Sequence, residues 1–297
     1  MRYLYNCYYL FYVHYLKGGL PKKLNTPKNE KKQAFLIVLY NLSIEESQSY
    51  KSVIENRDTN SLIIIYDNST KRMVDDVPRN DFIYYHDARN KGLSTAYNYA
   101  VAICRDNNIS LLTIFDQDTV VPKNFFEELR HAGPTDDISC IVPIVKLKNG
   151  NQVSPFSIER NLFVPSVKTI STTGAINSGV TLNLDAFSDN STLFLSDFPL
   201  DFLDYDFFKR LSDSGRTIQE LKIELIQNLS VSSYKSMTGK RFRNFVQSES
   251  RFVFKYYPQY VRRYRFKLIL RLMKCVLQGI QFSKLHFIYT TLRRSRK

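Results

Sequence analysis

Two carboxylates one residue apart, Asp116 and Asp118 on either side of Gln117, follow directly on the apolar run Leu111 to Phe115. A strand that ends in such a pair can hold a hard divalent cation, and the cation in turn a diphosphate. It then neutralises the charge that develops as a diphosphate leaves. A turn of solvated acids after a strand is the plain alternative. Asp67-Asn68-Ser69 follows the aliphatic run Leu62 to Tyr66. Asp67 there could accept hydrogen bonds from a nucleobase imide or a ribose hydroxyl, or it could close an Asx turn. Asn90-Lys91-Gly92 leads into a helical pattern carrying Ala96 and Asn98. Glycine there allows close backbone approach to a ligand, or simply a helix entry. Asp201, Asp204 and Asp206 open a further helical pattern, with Arg210 four residues after Asp206. One of these acids could act as general base toward a hydroxyl. Acids complementing a helix dipole, with an i,i+4 ion pair, is the alternative. Glycine-rich phosphate loops of the G-x-G-x-x-G or G-K-[ST] type are absent from the sequence.

The elements that must position these residues alternate. Ala34 to Leu39, Leu62 to Tyr66, Phe82 to Tyr85 and Leu111 to Phe115 are continuous apolar runs of strand length. Between them Ser43 to Glu46 opens a helical pattern as a capping box, and Leu93 to Asp106 reads as a helix. This rhythm predicts an α/β fold, a parallel sheet with helices on both faces. Ligands of such sheets gather at the carboxyl ends of the strands, which is where Tyr40-Asn41, Asp67-Asn68 and Asp116-Gln117-Asp118 fall. Farther on, Ile138 to Val145, Gly174 to Leu184 and Ile218 to Ile226 carry strand signals. Phe202 to Ser214 is a helix ending at Gly215, and from Arg241 the chain is helical to near its end.

Length and charge bound the organisation. The 297 residues suit one large α/β domain or two intimate subdomains. The formal charge of +14 is uneven: residues 235 to 297 hold 17 Lys and Arg and one acid, Glu249. The pattern divides into an aromatic and basic appendage at 1–32, a first sheet half at 33–120, a second at 121–235, and a basic helical extension at 236–297. In that extension Val261, Tyr264, Leu268, Leu272, Val276 and Ile280 fall on one predicted face, with Arg263, Lys267, Arg271 and Lys274 opposite. Such a helix suits an anionic membrane surface, or packs on the body with a solvated basic face. Nucleic acid is not expected, because no recognised motif accompanies the charge. No run reaches the roughly 18 to 20 apolar residues that span a bilayer, and the Tyr3 to Leu16 run lacks a cleavage pattern. Cys104 and Cys140 sit among apolar residues and read as buried small hydrophobes in a reducing cytosol.

Taken in order, these segments resemble glycosyltransferase family 2, on the fold called GT-A. The pieces are Leu36-Ile37-Val38-Leu39-Tyr40-Asn41, Ile65-Tyr66-Asp67-Asn68-Ser69, Asn90 to Asn98, Phe115-Asp116-Gln117-Asp118, Ser178-Gly179 and Leu203 to Arg210. The likeness covers about residues 33 to 260 and is nearest the rhamnosyltransferase-like branch, where a D-Q-D triplet is usual. It implies a mostly parallel Rossmann-like sheet flanked by helices. It also implies inverting transfer of a sugar from a nucleotide diphosphate donor, dTDP-rhamnose or a UDP-sugar, to a glycan or lipid-linked acceptor in cell-surface polysaccharide synthesis. By resemblance, Tyr40, Asn41, Asp67, Asn90, Gly92 and Asp116 would bind the donor nucleotide. Asp116 and Asp118 would hold Mg2+ or Mn2+. Gln117, Ser178, Gly179 and Asp206 would shape the sugar and acceptor side, and Asp204 would be the base. The enzyme would sit in the cytoplasm, peripheral to the inner face of the cell membrane. Three positions depart from the family pattern: Leu203 stands for the Glu of its Glu-Asp pair, Asn228 for a His, and Ser248-Glu249-Ser250 for an Arg-Asn pair. These leave as alternative a catalytically weak nucleotide-sugar-binding subunit of a polysaccharide assembly complex.

Overall fold

The computed structural model describes residues 32–74, 81–133, 135, 137–165, 172–188, 191–227, 237–279 and 282–294. Nearly all of the expected appendage at 1–32, and Asn228 and Ile280, lie outside the described residues. The first half alternates as its pattern requires: β1 (Gln33–Leu39), α1 (Gln48–Asn56), β2 (Leu62–Asp67), β3 (Phe82–His86), α2 (Leu93–Asp106), β4 (Leu111–Asp116) and α3 (Asn124–Ala132). Then come β5 (Ile138–Lys146), β6 (Gln152–Ser154), β7 (Phe156–Ser157), α4 (Ile158–Leu162), β8 (Thr173–Gly174), β9 (Thr181–Asn183), α5 (Leu203–Asp213) and β10 (Thr217–Ile226). Three helices close the chain: α6 (Gly239–Tyr256), α7 (Val261–Leu277) and α8 (Phe282–Arg294).

The main sheet runs β10-β5-β9-β4-β1-β2-β3, with β6 beside β5. Strands β1 to β4 are mutually parallel where they pair, as are β5 and β10, while β9 runs against both β4 and β5. Short β9, threaded antiparallel into the middle, is what the apolar pattern alone does not announce. Because β1 and β2 are buried on every residue but the first, their sequences show no alternation. Register sets the chemistry: Leu39 lies beside Asp67, Asp67 beside His86, and Val38 beside Asp116. All the acidic strand ends therefore meet on one edge. One apolar cluster packs α2, α5 and the closing helices on one face, and a second packs α1 and α3 on the other. Cys104 and Cys140 are buried, as their surroundings predict.

Two local expectations change. The capping box at Ser43 closes only a 3-10 turn, in which Glu46 accepts from the Ser43 amide at 3.3 Å. The helix itself starts five residues after Ser43, at Gln48, capped by Ser47. The apolar face of α7 also differs. Tyr264, Leu268, Arg271 and Cys275 are buried, whereas Val276 is 58% exposed. Steps of four walk round a 3.6-residue helix, but the spacing 264-268-271-275 stays on one face. Arg271 and Lys267 turn inward because Glu249 of α6 is buried there. Arg271 donates to both its oxygens, Lys267 Nζ lies 2.9 Å away, and the Tyr264 hydroxyl donates at 3.1 Å.

Burial alone would raise the Glu249 carboxyl, but Arg271 and Lys267 hold it down to about 2. A folded-state value below the unfolded one adds stability above the usual Glu range, which is lost as pH falls from about 4.5 toward 2. Glu249→Ala leaves buried Arg271 without its counter-charge. We expect it to cost about 3 to 5 kcal/mol in urea unfolding. A loss below about 1 kcal/mol would show that α7 does not depend on this ion cluster.

Candidate active site

The turn at Asp116 to Thr119 is tied from three directions. From α1, the Ser47 hydroxyl and the Gln48 amide donate to the Gln117 carbonyl at 2.9 and 3.0 Å. Ser49 Oγ donates to the Asp116 carbonyl and, at 3.2 Å, to that of Thr119. From the β9 side, Ser178 Oγ accepts the Asp116 amide at 3.0 Å and hydrogen bonds Thr119 Oγ1 at 2.6 Å. From β1, the Tyr40 amide donates to Gln117 Oε1 at 2.8 Å. The backbone of the turn is thus fixed by hydrogen bonds that do not use the Asp116 and Asp118 carboxyl groups.

A second fastening brings α5 over this edge. Asn98 of α2 exchanges two hydrogen bonds with the Phe194 backbone, at 2.6 and 3.1 Å. The Pro199 carbonyl accepts the Leu93 amide at the start of α2. Gly92, at φ 95°, makes this approach possible, since a Cβ would stand 2.4 Å from the Pro199 oxygen. Asp201 pairs with Arg241 at the start of α6. Asp204, on the first turn of α5, is thereby held within electrostatic reach of Asp116. Tyr97 lies fully buried in the field of both.

Burial pushes the Asp116 carboxyl up to about 6, Asp118 adds to the rise, and the Gln227 amide, donating at 2.6 Å, opposes it. Asp118 is raised by burial as well. Asp204 rises to about 7, through burial first and then the charges of Asp201 and Asp116, against the Tyr205 amide that binds its Oδ1 at 2.9 Å. Asp116 and Asp204 keep some exposed side-chain surface while their carboxyl groups are enclosed. Among the described residues none of the three pairs with a basic side chain.

These residues fit a divalent cation of the Mg2+ type. Such ions take one or two carboxylates and complete their shell with water and substrate phosphate. Asp116 and Asp118 supply that pair, unpaired acids favour positive charge, and Gln227 Oε1 beside them has no partner among the described residues. No preformed cage of three His, Cys, Asp or Glu occurs among the described residues.

The other expected positions divide. Tyr40 is exposed on the rim, and Asn41 beside it, at φ 52°, donates its amide to Ser69 Oγ at 2.7 Å. Asn90, at φ 45°, is exposed and donates to the Asp87 carbonyl at 2.9 Å. Asp67 is wholly buried and already occupied: it accepts the Ser69 amide at 2.8 Å, the Met73 amide at 3.1 Å and the Tyr84 hydroxyl at 2.5 Å. Its Asx turn shapes the rim from behind. Gly92 accommodates the Pro199 backbone. Ser178 and Gln117 brace the acidic turn. Gly179, at φ 86°, sits where a Cβ would meet Leu225 at 2.4 Å. Asp206, expected on the sugar and acceptor side, is fully buried and binds Arg210 at 2.9 Å, Lys255 at 3.0 Å and the Tyr256 hydroxyl at 2.6 Å. Leu203 is buried in the core under α5. Gln227 and Arg241 join the site unannounced. Only three-dimensional packing brings them there, and no spacing in the sequence marks them.

An α/β sheet carrying an enclosed acidic centre at its carboxyl edge is the class that this geometry defines. The family model described as Glycosyl transferase family 2 matches residues 37–184, which hold the end of β1, β2 to β4 and the Asp116 turn. The chain belongs to that family. Among solved structures it is similar to the crystal structure of GalNAc-T7 with UDP, GalNAc and Mn2+, at 12% identity and TM-score 0.48 over 75% of this chain and 48% of that one. It is also similar to S. aureus TarS, at 13% identity and TM-score 0.48 over 77% of this chain and 43% of that one. The chain therefore spans less than half the length of these two structures. No curated protein matches.

The Asp204 carboxyl gives a test with a definite sign. A folded value of about 7, above the unfolded one, favours the protonated folded state, so stability falls as pH rises from about 4 to about 7. Metal-free Asp204→Asn should therefore unfold less readily than wild type at pH 8, by about 1 to 3 kcal/mol, and show no advantage at pH 4. Equal melting of both proteins at pH 8 would contradict the enclosed charge.

Proposed function

We propose that the chain transfers a sugar from a nucleotide diphosphate donor to a glycan or lipid-linked acceptor with inversion, Asp204 acting as general base. The observation that carries this reading is an enclosed acid on the first turn of α5 within electrostatic reach of the acids that end β4. Asp116 and Asp118 lie at the end of β4, and Asp204 of α5, with its value near 7, feels the charge of Asp116. A base works best when its value lies near the working pH.

In this reading Asp116 and Asp118 hold a divalent cation against the donor diphosphate. When bound, that cation supplies charge neutralisation for the departing diphosphate. Tyr40 and Asn41 form the rim toward the nucleotide, and Asn90 adjoins it. Asp204 takes the proton of the acceptor hydroxyl. The oxygen then bonds to the anomeric carbon from the face opposite the diphosphate, and the old carbon–oxygen bond breaks with its electron pair leaving on the nucleoside diphosphate. One displacement of this kind inverts the anomeric centre. Holding Asp204 rigidly over the edge, through Asn98 and Pro199, removes the entropy of aligning base and acceptor. A donor of the dTDP-rhamnose or UDP-sugar kind, a role in cell-surface polysaccharide synthesis and a place at the inner face of the cell membrane complete the proposal. The basic charge of residues 235 to 297 supports the last of these.

Two variants separate the roles. Asp118→Asn should weaken cation-dependent binding of UDP or dTDP in calorimetry by about tenfold or more. Asp204→Asn should leave that binding within about twofold and lower transfer by at least about a hundredfold. Full transfer by Asp204→Asn would remove it as base. A wild-type protein that binds the nucleotide yet turns over no donor would favour the weak-subunit alternative.

A further inference from the structure

We infer that the outer face of α7, joined by Phe163, docks on an anionic lipid bilayer. This rests on the membrane placement proposed above and names the surface that makes it. Helix α7 is apolar on two opposite sides. Tyr264, Leu268 and Cys275 face inward and are fully buried. Phe266, Ile269, Leu270, Met273, Val276 and Leu277 all face outward, Phe266 61% and Leu277 86% exposed. At about 100° per residue, these six share an arc of about 120° opposite the buried set. No other named element among the described residues exposes more than one large apolar side chain. Single exposed hydrophobes need no explanation, but a gathered patch marks a contact surface.

Phe163 extends the patch from a separate part of the chain. It ends α4 in the left-handed region, at φ 60°, and is 64% exposed. With Arg262, Arg263, Phe266, Lys267 and Leu270 it lines a groove of about 410 Å3. The charges of the helix itself are all of one sign: Arg262, Arg263, Arg265 and Lys274 lie along the stripe, and no Asp or Glu occurs from residue 259 to 297.

This combination selects the occupant. An anionic bilayer takes the arginines and lysines at its phosphates and the aliphatic stripe at its acyl boundary. A second copy of this face would bring two acid-free basic surfaces together, which like-charge repulsion opposes. A nucleic acid would satisfy the basic groups and leave Ile269, Leu270, Met273 and Val276 against water. Among the described residues no helix is long and apolar enough to cross a membrane, so α7 would lie in the interface plane.

The experiment is co-sedimentation of the full chain with vesicles of phosphatidylcholine alone and of phosphatidylcholine mixed with phosphatidylglycerol. Partitioning onto the anionic vesicles should be stronger by about tenfold or more, and Leu270→Glu with Met273→Glu should lower it by a similar factor. Both changes are at exposed positions, so the melting temperature and calorimetric nucleotide binding should stay as in wild type. A failure of docking is thus distinct from a failure of the donor site. In a second measurement, Val276→Cys carrying a polarity-sensitive dye should shift its emission to the blue on adding anionic vesicles. The inference is overturned if the double variant sediments like wild type. It is also overturned if the dye is unmoved or already blue-shifted before lipid, or if the patch variant abolishes a dimer or an RNA complex while leaving vesicle binding intact.

Discussion

Carboxylates that the fold encloses and does not neutralise govern this structure. Asp116 and Asp204 come from the two halves of the domain sequence and lie within electrostatic reach of each other. Elsewhere buried acids are met by bases or by several hydrogen bonds, as Asp67 is by Ser69, Met73 and Tyr84. Glu249 has Arg271 and Lys267, Asp206 has Arg210 and Lys255, and Asp201 has Arg241. The contrast separates scaffold from site, because an unpaired buried charge persists only where something else supplies the opposite charge or the chemistry needs it.

The scaffold answers that cost with backbone hydrogen bonds. Ser47, Ser49 and Ser178 bind the main chain of the Asp116 turn, and Asn98 with Pro199 fixes the loop before α5. None of these groups needs to touch a sugar. They hold two acids in relation, so that a donor and an acceptor meet without reorganising the protein. The ion clusters on Asp206 and Glu249 continue the chain of support outward, from α5 to α6 and from α6 to α7, and leave the far side of α7 apolar and basic.

Much of this was legible in the residues. Continuous apolar runs showed the strands, because a strand covered on both faces has no alternation to hide, and the acids at their ends showed the edge where ligands gather. What was not legible depends on partners distant in sequence. Asp67 and Asp206 carry the residue types expected of a site, yet Tyr84 and the Met73 amide occupy one and Lys255 with Tyr256 the other. Glycines 92 and 179 mark close approach correctly, but the approaching groups are Pro199 and Leu225 of the protein itself. The face of α7 was misassigned because Glu249, one buried acid on another helix, turns two basic residues inward.

The most direct measurement of the central claim is a carbon-13 NMR titration of the aspartate carboxyls in metal-free protein, with Asp116→Asn and Asp204→Asn for assignment. Interacting acids titrate as a pair, so the wild type should show two coupled steps between about pH 5.5 and 7.5. Removing either residue should move the step of the other downward. If every aspartate in the wild type titrates below about pH 5, the acids are solvated or paired, and the enclosed acidic centre does not exist.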